Sequence, residues 1–320
     1  MTALLTPATY TVDPWDPGYG VAAGGDELDG RATSKVQLDL DIETPAAEWR
    51  PLPPVAGLTP PSSVLFLDGV RRIDARVWVH GPSAQPVPAV AASLAAGLVC
   101  CNGSAQIVDV RVDRGLYTAE GSAGPLATRH ATYRVHQVEA GFEKLSQGVQ
   151  NRLAFIEVEL ALGWRASSSA TDDLLVLDGP LHGRGHLPRT VGYVKTHDKA
   201  YLREPQAHVV AALRAGERTP VFAMTTSWRR HSWYLRLPGT SGAPWSGIVR
   251  LECSADLDAA TVVALANLTA VVLPPLASTP HKDSRAPQNL VPIGGLERQL
   301  RHRLGDAALL YRSLRAAARS

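Results

Sequence analysis

The apolar positions fall into short runs separated by turn residues, and their spacing changes between two and about 3.6 along the chain. Val64-Leu65-Phe66-Leu67 is a continuous apolar run ended by Asp68-Gly69, the pattern of a buried strand emerging at a sheet edge. Arg71-Arg72 follows, and Ile73 to His80 then alternates through Ala75, Val77 and Val79, which predicts a hairpin. Residues 88–101 are rich in Ala and Leu and suggest a short helix, while Gln106 to Val112 alternates as a third strand. Phe142, Leu145, Val149, Leu153, Ile156 and Leu160 recur at three or four residues and predict a helix over 141–162. A second apolar strand, Leu174-Leu175-Val176-Leu177, again ends in Asp-Gly.

Further along, 190–195, 221–225, 233–237 and 248–253 read as strands, and 206–214, 258–273 and 296–318 as helices. The last helix keeps Glu297, Arg301, Arg303 and Arg312 on a wet face. Upstream, residues 1–61 are rich in Pro, Gly and Asp. One alternating strand spans 36–42, and a proline-rich wrap follows it. That division predicts an N-terminal arm, 1–61, packed on a main domain of 62–320. Strands followed by alternating helix and strand predict a mixed α/β fold.

Composition narrows the function only a little. The 320 residues carry 32 basic and 30 acidic side chains, so no charged tail organises the molecule. A local basic stripe still suffices for nucleic acid, and 27 of the basic residues are Arg, the better phosphate fork. Three cysteines, two of them adjacent, exclude a disulfide framework and a four-cysteine zinc site. No secretion signal is legible at the N-terminus, and the apolar tract 259–276 is interrupted by Asn267 and ends in prolines. The expectation is a cytoplasmic protein with no membrane partner.

The chemical signal is two strands that each end in Leu-Asp-Gly. Carboxylates brought together repel unless a proton or cation is shared, and hard divalent ions take such oxygen ligands. Between Asp68 and Asp178 lies the helix carrying Glu157 and Glu159, which point about 200° apart, so one of them faces the sheet. The simpler reading of either Asp-Gly is a turn. Arg71 and Arg72 beside Asp68 are either phosphate contacts or a solvated turn. The block Trp228 to Arg236 interleaves aromatics with cations, as base-stacking, phosphate-holding surfaces do. There Arg229 and Arg230 are the candidates for contacting nucleic acid, whereas half of the strand must face the core. His182 and His186 lie on a glycine-rich loop, which argues against zinc. No Walker A loop is present.

An Asp on a first strand, a Glu on a helix and an Asp on a fourth strand is the layout of ribonuclease-H-like metal nucleases. More narrowly, the chain resembles the NurA nuclease family from about residue 62 onward. The carrying segments are LFLDGVRRIDARVW (65–78), NRLAFIEVEL (151–160), LLVLDGPLHG (174–183), GYVKTH (192–197) and WRRHSWYLRLPG (228–239). The resemblance implies a ribonuclease-H-like mixed sheet flanked by helices. It also implies a metal-dependent DNA nuclease that processes ends with Mn²⁺ or Mg²⁺. Asp68, Glu159 and Asp178 match the family's catalytic, metal-binding carboxylates, with Glu157 in reserve, and Lys195 matches a nucleic-acid-binding lysine. The family's C-terminal metal-binding His has no counterpart in 287–295, and His281 or Asp283 is the available substitute. The implied partners are DNA, a HerA-type hexameric DNA-translocating ATPase and a second copy of the chain. A catalytically silent DNA-binding adaptor and an RNase are the alternative functions.

Overall fold

The computed structural model describes residues 8–12, 36–82, 85–167, 172–195, 201–239 and 245–318. Residues 196 and 197 of the GYVKTH segment, and most of the first 35 residues of the arm, lie outside them.

The apolar run at 64–67 opens a far longer strand than the sequence predicts. β1 (Thr9–Val12) and β2 (Gln37–Asp39) come from the arm, and β3 spans Ser63–His80 without a break. The expected hairpin at Asp68-Gly69 is absent. Those residues stay in register with β4 (Val87–Cys101), Asp68 opposite Gly97 and Arg72 opposite Ser93, and the ladder shifts only between Ile73 and Ala75. β4 also replaces the helix expected over 88–101. Its alanines favour a helix in isolation, but the segment is buried on both sides. Ala92, Leu94, Ala96 and Leu98 enter one core, and Ala95 and Val99 the other. Burial on both faces of a central strand overrides local propensity.

β5 (Ala105–Thr118) runs antiparallel to β4 and is edged by β6 (Leu126–Ala127) and β7 (Thr132–Gln137). Helix α1 (Phe142–Ser167) follows, burying Leu145, Val149, Leu153, Ile156 and Leu160 of the predicted stripe while its first member, Phe142, stays exposed. It returns the chain to β8 (Asp173–Asp178), which pairs parallel to the start of β3. β9 (Thr190–Val194) lies parallel to β8 on its other side. Helix α2 (Gln206–Ala212), then β10 (Phe222–Thr225), β11 (Arg229–Arg236) and β12 (Ile248–Ser254) complete one mixed sheet. Its order is β2-β10-β11-β12-β9-β8-β3-β4-β5-β7-β6, with β1 paired to the far half of β3.

Helix α1 covers one face of this sheet; α3 (Ala259–Val272) and α4 (Val291–Arg303) cover the other. The apolar stretch Ala259–Leu276 is, among the described residues, the one helix long and apolar enough to cross a membrane by composition. It packs into the core through Val262, Ala266, Ala270 and Leu273. The helix expected over 296–318 is two helices. α4 begins earlier, with Pro292 in its first turn, and Gly305 at φ +77° breaks the chain before α5 (Ala307–Ala317). The arm does pack on the main domain: besides its two strands, it places Glu43 against the buried Arg218, with Nη2 to Oε1 at 2.7 Å.

Candidate functional site

Strand periodicity decides which side each aspartate faces. Along β3, Val64, Phe66 and Val70 enter the core under α3 and α4, whereas Leu65 and Leu67 face α1. Asp68 shares the first parity. On β8, Val176 has the same orientation as Phe66, so Asp178 emerges on that side too. The parallel register ends at Leu67 opposite Leu177, and the next residues of the two strands are Asp68 and Asp178. The fold therefore brings the two carboxylates side by side. Each sits where a central strand leaves its parallel neighbour, and not at a hairpin.

Lys195, one residue past β9 and on the same face, donates from Nζ to Asp178 Oδ2 at 2.7 Å and to Asn289 Oδ1 at 3.0 Å. Asn289 is fully buried, and its Nδ2 donates to Asp283 Oδ2 at 2.6 Å. The Tyr193 hydroxyl donates to Gln288 O at 2.6 Å and holds this segment against β9. Asp178 Oδ1 is buried with no hydrogen-bond donor. Asp68 accepts from the backbone N–H of Gly69 at 2.7 Å. Burial pushes the Asp68 carboxyl well above the usual carboxylate range, and the Asp178 charge pushes it the same way against Lys195. Burial also raises Asp178, and Lys195 offsets only part of that.

Of Glu157 and Glu159 on α1, Glu157 faces the sheet. It is buried against Gly69, where an added Cβ would stand 2.6 Å from Glu157 Oε1. Its Oε2 accepts from Nη1 of Arg184, a buried residue of the loop after β8. Burial raises Glu157 in turn, opposed by Arg184. Glu159 points away: its side chain is 43% exposed and pairs with Arg111 at 3.1 Å. The preference for Glu159 over Glu157 is thus corrected by the helix geometry, since two residues along a helix rotate the side chain away from the sheet.

His281 is exposed, its imidazole 3.4 Å from the Thr279 hydroxyl, and the C-terminal segment meets the site through Asn289 instead. Arg71 is turned to the α1 side, where Nη1 contacts Gln150 Oε1. Arg72 is committed to the framework. It donates to Asp74 Oδ1 at 2.8 Å and to the carbonyls of Gly305 and Leu304 at 2.7 and 3.2 Å, closing the C-terminus of α4. Arg230 is also a framework residue. It is 1% exposed, lies over the Trp228 ring at 4.5 Å and pairs with the buried Glu252 at 3.0 Å. Arg229, its neighbour of opposite parity, is exposed. Of the basic residues expected at nucleic acid, Arg230 is buried and Arg72 is tied to Asp74 and the end of α4, while Lys195 stands at the carboxylates and Arg229 on the surface.

Sequence reasoning missed Arg184 and Asn289. The stretch containing Asn289 shows itself only by what it lacks, and a single Arg in a Gly-rich loop carries no signal of its partner. Among the described residues no three His, Cys, Asp or Glu side chains are gathered to hold a metal ion. Arg184 pairs with Glu157, and Lys195 with one oxygen of Asp178. The donor chemistry nevertheless fits a hard divalent ion, because Asp68 and Asp178 present oxygen ligands and one of them is an orphaned buried carboxylate oxygen. Compared with known proteins, the chain matches no family model and no curated protein.

Proposed function

We propose that this protein is a metal-dependent DNA nuclease on a ribonuclease-H-like sheet. The observation that carries the reading is the placement of Asp68 and Asp178 on adjacent parallel strands, facing one way, with a buried Asp178 oxygen that no donor satisfies. Setting aside the arm strands β1 and β2 and the short strands β6 and β7, Asp68 is on the first strand and Asp178 on the fourth. Glu157 is on the helix between the third and the fourth. That is the order on which the ribonuclease-H-like resemblance rests, with Glu157 in place of Glu159.

Asp68 and Asp178 are the residues that would hold Mn²⁺ or Mg²⁺, and Glu157, which comes from the α1 face of the sheet and acts electrostatically on Asp68, is the candidate third carboxylate. A divalent ion there supplies Lewis-acid polarisation of a phosphodiester oxygen and lowers the pKa of water. The chain's own contribution is positional. Lys195 orients Asp178 and offers a positive charge to a phosphate. Asn289 fixes Lys195 from behind, and Arg184 holds the glutamate in reach of the strand. A HerA-type hexameric translocating ATPase and a second copy of the chain remain our proposed partners, on the resemblance alone. The silent adaptor is a second reading, favoured by the ion pairs Arg184–Glu157 and Lys195–Asp178, which neutralise two carboxylates without metal.

One experiment separates them: cleavage of end-labelled single- and double-stranded DNA and of RNA, with EDTA, Mg²⁺ or Mn²⁺. Wild type is expected to cut DNA only with metal. Asp178→Ala and Glu157→Ala should each lose at least about a hundredfold, more than the ~10–100-fold typical of residues that merely support a metal ligand. Glu159→Ala should cut like wild type. Absence of cleavage by wild type under every condition would favour the adaptor, and loss in Glu159→Ala but not Glu157→Ala would overturn the site.

A further inference from the structure

The loop that follows Asp178 has two sides. Arg184 points inward to Glu157, whereas Gly183, Gly185 and His186 line an open groove of about 400 Å³ with Trp228, Arg229, Ser254 and Asp256. Its size falls within the ~300–1,000 Å³ range of small-ligand pockets. We propose that this groove binds one unpaired nucleotide of a single-stranded nucleic acid. The proposal rests on the nuclease reading for its context but on its own residues for its chemistry.

Each wall offers something a nucleotide needs. The Trp228 indole is fixed from one side by Arg230 at 4.5 Å and edge-on by His182 at 6.0 Å, so it meets a base as a rigid aromatic platform. Arg229 is exposed and its side chain forms no hydrogen bond or ion pair among the described residues, which leaves its guanidinium for a phosphate. His186, also exposed, adds a second donor. The exposed Asp256 carboxylate, linked to the Ser254 hydroxyl at 3.3 Å, is suited to accept from base N–H groups.

Space is kept by glycine. A Cβ on Gly185 would meet only Ser254, at 3.8 and 3.9 Å across the groove, and the backbone there has no positive φ. The loop itself is anchored below, since Leu181 N donates to the buried Glu252 at 2.7 Å. A base in the groove is thereby registered against the loop that carries Arg184 to the carboxylates. An unpaired strand can enter such a groove, but a stacked base pair cannot offer its face to Trp228.

The test is equilibrium binding in EDTA, so that no strand is cut. It reads the anisotropy of a fluorescein-labelled oligo-dT of about 15 nucleotides, near the upper end of the ~4–16-nucleotide footprints of single-strand binders. An abasic strand, an oligo-rU and a blunt duplex of equal length are the comparisons, and the tighter of dT and rU assigns the sugar. Gly185→Leu fills the groove without touching the carboxylates, and Arg229→Gln removes the phosphate contact from an exposed position where folding is not at stake. Each is expected to weaken oligo-dT binding about tenfold, within the range of losing one stacked base or one charge contact. Duplex affinity should stay within about twofold, and the abasic strand should bind wild type as weakly as dT binds Gly185→Leu. Unchanged dT affinity in both variants, equal losses for duplex and single strand, or no binding by wild type overturns the groove. Asp178→Ala measured alongside keeps the two readings apart. A protein that never cuts but loses dT on Gly185→Leu retains the groove and loses the nuclease; one that cuts with dT binding unaltered does the reverse.

Discussion

Gly69 and Gly179 follow the two aspartates and serve different ends. Gly69 stays in the β3 ladder, and its missing side chain lets Glu157 Oε1 and Leu153 Cδ1 approach to within 2.6 and 2.8 Å of where a Cβ would stand. Gly179 takes φ +99°, a left-handed turn that ends β8. One Asp-Gly is thus a close approach and the other a turn, and the dipeptide alone cannot tell them apart. Burial acts at this scale on histidines as well. His136 stacks on Tyr117 at 4.9 Å with Nε2 buried and unpartnered, and burial lowers its pKa, helped by Arg152 and Arg134 and opposed by Asp113. A lowered folded value favours the neutral ring. Its contribution to stability is therefore full above the ordinary value of about 6.5 and is lost as pH falls through the folded value. Between about pH 7.5 and about pH 5 the melting temperature should fall less in His136→Phe than in wild type. Equal falls would mean that His136 does not carry this dependence.

At the scale of elements, the periodic segments formed where the pattern predicts them, and the exceptions share one cause. Helix α1 buries its three-four stripe because one face of a lone helix suffices for it. β4 reads as a helix because Ala and Leu supply both faces, and a strand buried on both sides shows no alternation to betray it. Small side chains there admit α4: a Cβ on Gly97 would stand 2.8 Å from Leu296 Cδ1. The break between α4 and α5 is likewise a local device with a distant partner, for Arg72 on β3 caps the carbonyls at 304 and 305. Arg72→Ala should cost about 1–3 kcal/mol, the range for losing charge-assisted hydrogen bonds. In chemical denaturation the midpoint should shift while affinity for DNA stays the same; a loss of affinity without a loss of stability would restore Arg72 to the DNA-binding surface.

For the whole molecule, the sheet is shared between the arm and the main domain. β2 extends the β10 edge, and β1 covers the far half of β3. The tie is ionic and buried. Glu43 accepts from both terminal nitrogens of Arg218 at 2.7 and 2.8 Å, and Arg218 reaches Asn267 on α3. Removing one member of a buried pair leaves an uncompensated charge, so Glu43→Ala should destabilise the fold by about 3 kcal/mol. Double replacement of Glu43 and Arg218 by apolar residues should cost less than the single change. If denaturant midpoints show Glu43→Ala to be neutral, the arm is not held by this pair.

The sequence by itself determined the mixed α/β class, the helix on which the glutamates lie and the two aspartate strands, because periodicity and turn chemistry are local properties. Only the tertiary structure decided the path of β3 through Asp68, the strand at 87–101, that Glu157 and not Glu159 faces the sheet, the pairing of Arg72 with Asp74 and the burial of Arg230. It alone brought Arg184 and Asn289 to the carboxylates. These depend on which faces meet across the sheet and which charges have partners once water is excluded, and neither is written in the neighbourhood of any single residue.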